Sequence, residues 1–397
     1  MVQAPPGQTH RDVIRIFVPS GHYLPGYRGG GPVRSLANLV AALGDDHAFH
    51  IVAYDRDMGA TEPYGSVTAG RWAPQGKARV WYVRAGGGWA VSLWRLLRST
   101  PHDVLYLNSF FDPLTALLPV LLRAGHAIPR RPLIVAARGQ LSPGALGLKR
   151  ERKAAYLALT RALGLWRDIW LHATSAEEMD DLRRTFGTAA ADRIVFAPNL
   201  GPPLPPPVER PPKIRGQLRL AFVSRISPKK NLLYAIERLS GLAGAVTLDI
   251  FGPLEDADYW RECQAAAARL LGHPTVRYAG ELPNERVMDV LARHDLLILP
   301  TLGESYGHVV AEALAAGCPV LVSDRTPWRG LAEARAGWDL PLEDPAGFGA
   351  VLECCVTMGE QEHRRLREGA RSLAAARLTD QAAREAHRRM FAMVAGH

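Results

Sequence analysis

Short apolar runs of five to seven residues recur along this chain, separated by stretches whose apolar positions fall at helical spacing. IRIFVP from Ile14, FHIVAY from Phe49, VLYLN from Val104, LIVAA from Leu133 and DIWLHA from Asp168 have strand character. The alternation resumes with LRLAFVS from Leu218, VTLDIF from Val246, TVRYAG from Thr275, DLLILP from Asp295 and PVLVS from Pro319. Short, uniformly apolar strands between helices predict parallel sheets covered on both faces. Between the two sets lies GPPLPPPVERPPKIRG, residues 201–216, whose seven prolines and near lack of apolar side chains predict a stiff linker. The expected organisation is a domain over 1–200, the linker, a second domain over 217–375, and a helical segment 376–397 that packs back on the first. Both domains are predicted to be doubly wound α/β units, whose ligands bind beyond the carboxyl ends of the strands.

Composition narrows the class. With 397 residues, 47 % apolar and 22 % charged, the chain suits two folded domains and excludes a disordered or fibrous protein. The four cysteines, Cys263, Cys318, Cys354 and Cys355, form no CxxC pair and meet no histidine cluster, which predicts reduced thiols in a cytosolic setting. The opening MVQAPPGQTHRDVIRIF lacks a basic segment followed by an apolar core, so no secretory leader is expected, and no apolar run is long enough to cross a bilayer. The net charge of +9 is one-sided. Residues 1–200 hold 24 Lys and Arg against 15 Asp and Glu, and the remainder holds 24 of each. Such a field suits an anionic surface or substrate, or simply a solvated basic face.

Two motifs carry chemistry. In SRISPKKNLLYAIERL, residues 224–239, Ser227 and Pro228 read as an N-cap and first helical residue, which puts Lys229 and Lys230 at the positive end of a helix. A phosphate or diphosphate there would accept from the helix N–H groups and neutralise Arg225, Lys229 and Lys230 together; solvated lysines on an exposed turn are the plain alternative. In LLILPTLGESYGHVVAEALAAGCPVLVSD, residues 296–324, a strand ends at Pro300 and a helix is expected from near Tyr306 to a left-handed cap at Gly317. Glu304 falls in the loop, and Glu312 lies far enough into the helix for its carboxylate to reach back toward the helix mouth.

These elements resemble the donor domain of family 4 glycosyltransferases, retaining enzymes of GT-B fold, in which two Rossmann-like domains face each other across a cleft. The family's Glu, seven residues, Glu element is matched by Glu304 and Glu312, and its Arg-x-x-x-x-Lys element by Arg225 and Lys230. The resemblance implies that Arg225 and Lys230 hold the donor diphosphate, that Glu304 meets the sugar hydroxyls, and that Glu312 binds the ribose. It also implies that the N–H groups of Ser305, Tyr306, Gly307, His308 and Val309 border phosphates and sugar, that Glu281 and Leu282 of RYAGEL flank the base, and that Gly252 of DIFGPLED fills the family's glycine position.

The first half is less diagnostic. The run of Gly29, Gly30 and Gly31 before Pro32 is no complete GxGxxG, because Arg34 stands at the last glycine. It resembles the glycine-rich first loop of GT-B transferases, with Gly30 and Gly31 near the donor phosphate. Where many retaining members carry a histidine, VAARGQLSPGAL has Arg138 and Gly139; Arg138, Asn108 and Ser109 are the acceptor-side candidates. The triplets Asp55-Arg56-Asp57 and Asp256-Ala257-Asp258 lie away from the basic element, and Arg225 and Lys230 already supply positive charge, so no metal and no cofactor is expected. Thr326, Pro327 and Trp328 read as a helix start. GGGWAVSLWRLLRST from Gly86 and LKRERKAAYLALTRALGLW from Leu148 combine basic and aromatic residues, which suits either core packing or an anionic membrane surface.

The expected protein is a cytoplasmic, metal-independent glycosyltransferase, either free or peripheral on the inner face of the plasma membrane. Its expected donor is a nucleotide-sugar, a UDP-sugar first, and its acceptor a glycan or lipid-linked precursor of bacterial surface polysaccharide. No nucleic-acid partner is expected. A nucleotide-sugar 2-epimerase of GT-B architecture and a non-catalytic sugar-nucleotide-binding subunit are the alternatives.

Overall fold

The computed structural model describes residues 13–396 apart from 85, 87, 148, 207–209 and 273, so the leader reading, which rests on residues 1–17, falls for its first twelve residues outside the described residues. The chain divides into two units, one running to Asn199 and including the segment from Gln381, the other Leu200–Asp380.

The first unit is built on β1 (Arg15–Gly21), β2 (Ala48–Tyr54), β3 (Trp72–Gln75), β4 (Ala78–Val83), β5 (Val104–Leu107), β6 (Leu133–Ala136), β7 (Trp170–Ala173) and β8 (Ile194–Phe196). They form one sheet in the order β3-β4-β2-β1-β5-β6-β7-β8, parallel except for the β3–β4 hairpin at the edge. Every residue of β5 and β6 is buried, as a strand covered on both faces requires. The C-terminal helix Gln381–Ala395 belongs to this unit: Phe391 packs edge-on against Phe49 and Tyr106, and Arg388 pairs with Asp46 at 2.7 Å.

The second unit contains β9 (Gln217–Val223), β10 (Ala245–Phe251), β11 (Thr275–Tyr278), β12 (Leu296–Leu299), β13 (Val320–Ser323) and β14 (Gly337–Leu340) in the order β11-β10-β9-β12-β13-β14, all parallel. The chain winds outward from β9 to β10 and β11, then crosses back to place β12 on the other side of β9. Neighbouring connections therefore leave in opposite directions between β9 and β12, which opens a crevice at their carboxyl ends. The proline-rich segment read as a linker is tied to this unit. Leu204 packs on its core, the Pro205 carbonyl accepts from Arg371 at 3.0 Å, and the Lys213 N–H donates to Glu360 at 2.6 Å. Prolines remove donors but leave carbonyls free to anchor the chain.

Candidate active site

The loops leaving β9 and β12 meet at this switch point. The turn Pro228–Lys230 presents its Lys229 carbonyl to the Leu302 N–H at 2.9 Å and to the hydroxyl of fully buried Thr301 at 3.1 Å. On its other side the β12 loop is held by the Glu304 N–H, which donates to the Arg325 carbonyl at 3.1 Å. Pinned between the two neighbouring loops, Glu304 forms an ion pair with Lys230, and the two side chains are only 15 % and 13 % exposed. Arg225 is placed differently: its guanidinium pairs with Glu255 at 2.8 Å, and both groups are half exposed.

The local conformation corrects the sequence reading of the basic motif. Pro228–Lys230 is a single 3-10 turn, Asn231 follows in the left-handed region at φ 58°, and the α-helix starts only at Leu232. Ser227 makes no side-chain cap. The lysines thus sit in a separate turn ahead of the helix, because that turn's carbonyl is drawn onto the β12 loop and Asn231 breaks the path. Lys229 itself is exposed.

The helix after β12 spans His308–Ala315, two residues later than expected. Gly307, at φ 76°, turns the chain into it, and its carbonyl accepts from Val310 and Ala311 at 2.9 and 3.1 Å. The N–H groups of His308 and Val309 therefore belong to the open first turn, with Ser305 and Tyr306 just ahead of them. Gly317 has the left-handed conformation expected after the helix, at φ 72°. Glu312 is buried. Burial, and secondarily the neighbouring Glu312, pushes the Tyr306 phenol upward.

Trp328, read from sequence as part of a helix start, instead lies in irregular chain and braces this loop. Its indole, 3 % exposed, donates to the Tyr306 carbonyl at 2.6 Å, stands 6.0 Å from the Tyr306 ring and is covered by the Arg377 guanidinium. Two hydroxyls also escaped the sequence reading: Thr301, which holds Lys229, and Ser323, which donates to the Thr301 carbonyl at 2.5 Å. A polar residue closing an apolar strand was the available signal.

Gly252 joins β10 to the neighbouring loops. Its N–H donates to Gly280 at 2.9 Å and its carbonyl accepts from the Tyr278 hydroxyl at 2.9 Å. At φ 137° a Cβ there would stand 1.9 Å from the Ser224 carbonyl, so only glycine fits. Glu281 and Leu282 follow directly, with Leu282 packed against the core.

In the first unit Gly30, at φ 66°, precedes a helix that begins with Gly31 and Pro32. Arg138, Asn108 and Ser109 are brought together, but by internal bonds. The Arg138 guanidinium donates to Asn108 at 2.8 Å, Asn199 at 2.7 Å and the Tyr106 hydroxyl at 2.8 Å. Asn108 in turn donates to the Pro32 carbonyl, and Ser109 exchanges bonds with Gln140. Tyr106 lies 3.0 Å from His172 Nδ1, which burial first, and then His387 and Arg138, hold well below the ordinary imidazole range. The two acidic triplets have local roles: Asp256 caps the helix Ala257–Ala268, and Asp57 accepts from the N–H groups of Tyr27, Arg28 and Met58.

Comparison with known proteins places this geometry. Over 200 residues the chain is 29 % identical to glycogen synthase of Mycobacterium tuberculosis, which covers 49 % of this chain and 47 % of that protein. It is 35 % identical over 130 residues to phosphatidyl-myo-inositol mannosyltransferase of Mycolicibacterium smegmatis, 32 % of either chain. The chain spans about half the length, or less, of these curated relatives. Among solved structures, sucrose-phosphate synthase of Thermosynechococcus elongatus superposes with a TM-score of 0.70 and Anabaena Alr3699/HepE, crystallised with UDP and glucose, with 0.66. Each is 15 % identical, over 96 % of this chain and 100 % of the other. The two parallel-sheet, Rossmann-like units carry the GT-B fold, and residues 209–371, with the Lys230–Glu304 crevice inside them, match the family of glycosyl transferases group 1.

Proposed function

We propose that this chain is a retaining family 4 glycosyltransferase. It moves a sugar from a nucleotide-diphosphate sugar, a UDP-sugar first, to a hydroxyl of a glycan or lipid-linked acceptor in bacterial surface polysaccharide synthesis. The observation that carries this reading is the meeting of Lys230 and Glu304 at the switch point of the second sheet. The UDP and glucose held by the Anabaena neighbour support the choice of donor.

In this reading the diphosphate takes Glu304's place as partner of Lys230, with Arg225 beside it, and Glu304 turns to the hydroxyls of the transferred sugar. Glu312 takes the ribose, the N–H groups of residues 305–309 border phosphates and sugar, and Gly252, Glu281 and Leu282 frame the base. As the bond from the anomeric carbon to the diphosphate breaks, negative charge gathers on the leaving oxygens, where preorganised cations act most strongly. The acceptor oxygen bonds to the same face of that carbon, and its proton passes to a departing phosphate oxygen. The reaction then needs no carboxylate nucleophile and no metal. Gly30 and Gly31 approach the donor, while Arg138, Asn108 and Ser109 serve the acceptor from their bonded cluster. The protein works in the cytoplasm, on the inner face of the plasma membrane.

Thermal-shift screening against UDP, GDP, ADP and their sugars identifies the donor, and product analysis with and without acceptor identifies the reaction. Transfer to an added acceptor is expected. Epimerised donor in its absence, or tight binding with neither transfer nor hydrolysis, refutes the proposal.

A further inference from the structure

The helix Arg150–Ala162 buries only Thr160 of its thirteen residues. Its inner side rests through half-buried Tyr156 and Leu157 on the core of the first unit, with the Tyr156 hydroxyl donating to the Phe110 carbonyl at 3.0 Å. Its outer side is apolar too. Ala154, Ala158 and Ala162 form one exposed row, and Ala155, Leu159 and Leu163 form the next. Leu159 and Leu163 are 61 % and 59 % exposed. Residues four apart lie one above another on a helix, so the rows merge into a stripe where a surface helix ordinarily shows polar residues.

Two grooves flank the stripe. One, of about 440 Å³, runs between Ala154, Leu157 and Ala158 of the helix and Leu141, Leu146 and Thr185. The other, of about 250 Å³, has Trp166, Ile169 and Phe186 in its wall and Arg161, Arg167 and Arg193 around it. Over residues 149–167 six basic side chains, Lys149, Arg150, Arg152, Lys153, Arg161 and Arg167, stand against a single acid, Glu151. The other basic-aromatic segment differs: the helix Trp89–Ser99 turns Trp89, Leu93, Leu96 and Leu97 into the core.

We infer that the helix Arg150–Ala162 and its flanking grooves dock on a bilayer surface containing anionic phospholipid. Leu159 and Leu163 enter the boundary between headgroups and acyl chains, the arginines meet lipid phosphates, and the grooves receive apolar segments. Charge selects this occupant over a protein partner, because apolar insertion and attraction to anionic lipid reinforce each other on a helix rich in basic residues. Membrane attachment is part of the functional reading above; this inference assigns it to one surface and is tested by binding alone, so it stands or falls apart from the donor site.

The test is co-sedimentation of the full chain with vesicles of phosphatidylcholine, with and without phosphatidylglycerol. Binding is expected only to the anionic vesicles, falling as salt is raised. The double variant Leu159→Asp/Leu163→Asp should reduce it roughly tenfold or more, and Arg150→Gln and Arg152→Gln about fivefold each. All four sites are exposed, so thermal unfolding should be unchanged. Val91→Asp, on the exposed side of the helix Trp89–Ser99, should bind as the parent does. Equal binding to neutral vesicles, indifference to both, or full binding by the double leucine variant overturns the inference.

Discussion

Lys230→Met separates two roles assigned to one ammonium. Lys230 and Glu304 are each less than one-sixth exposed, so their charges act in a medium far less screening than water. At an effective dielectric of about 20, a unit charge about 4 Å away is worth about 4 kcal/mol. Competition with Glu304 and the desolvation of the diphosphate offset part of this. About 3 kcal/mol remains for the leaving group, within the range found on removing one preorganised donor, or about 10² in kcat/KM. Glu304→Gln acts in the opposite sense on binding: with the competing carboxylate gone, nucleoside diphosphate affinity should hold or rise, while transfer falls because the sugar loses its orienting group. Without nucleotide, either substitution leaves a shielded partner unpaired and should cost about 1 to 3 kcal/mol of stability, the double variant less than the sum. Isothermal titration with UDP, GDP and ADP, steady-state transfer and urea unfolding read the three quantities. A Lys230→Met protein that binds its nucleotide as tightly as the parent refutes the reasoning, as does a Glu304→Gln protein that loses nucleotide binding to the same extent.

Trp328→Phe keeps an aromatic ring, though a smaller one, but removes the donor to the Tyr306 carbonyl, so donor KM should rise severalfold for about 1 kcal/mol of stability; an unchanged KM would show that the brace does not position the loop. Gly252→Ala forces a Cβ against the Ser224 carbonyl, and a loss of about 3 kcal/mol or more in urea unfolding is expected; parent-like unfolding would refute the close approach. Burial lowers His363 and His387 from 6.5 to about 4. Both are held neutral, and the unfolded chain binds more protons between these values, so their contribution is complete above pH 6.5 and is lost as pH falls toward 4. Urea midpoints across that window should drop accordingly, and flat midpoints would contradict it. Turnover should survive excess chelator, and its abolition would refute a metal-free site.

What was legible in the sequence follows from where local pattern and tertiary demand agree. The strands at the centre of each sheet are buried on both faces, so their apolar runs announced them. Of the strands that passed unread, β3, β8 and β14 lie at edges, are three or four residues long and mostly half exposed, and are too short to set a period; β4, one strand in from the edge, has an exposed Arg79 and a half-exposed Trp81 in its run and so lacks the uniform apolar signature. The crevice was legible through its charges, since Lys230 and Glu304 meet although 74 residues separate them. The backbone around them was not. Ser227 and Pro228 are sound helix-start residues, but a tertiary bond from the Lys229 carbonyl to the β12 loop outweighs that local preference and sets the lysine in a turn of its own. Trp328 failed for a related reason: its neighbours suggest a helix, while its indole answers to a carbonyl 22 residues earlier. Local signals thus identify the groups that carry charge, whereas the bonds that aim those groups arise only when distant loops meet; substitutions at Thr301, Ser323 and Trp328 should therefore disturb donor binding without removing any charge from the crevice.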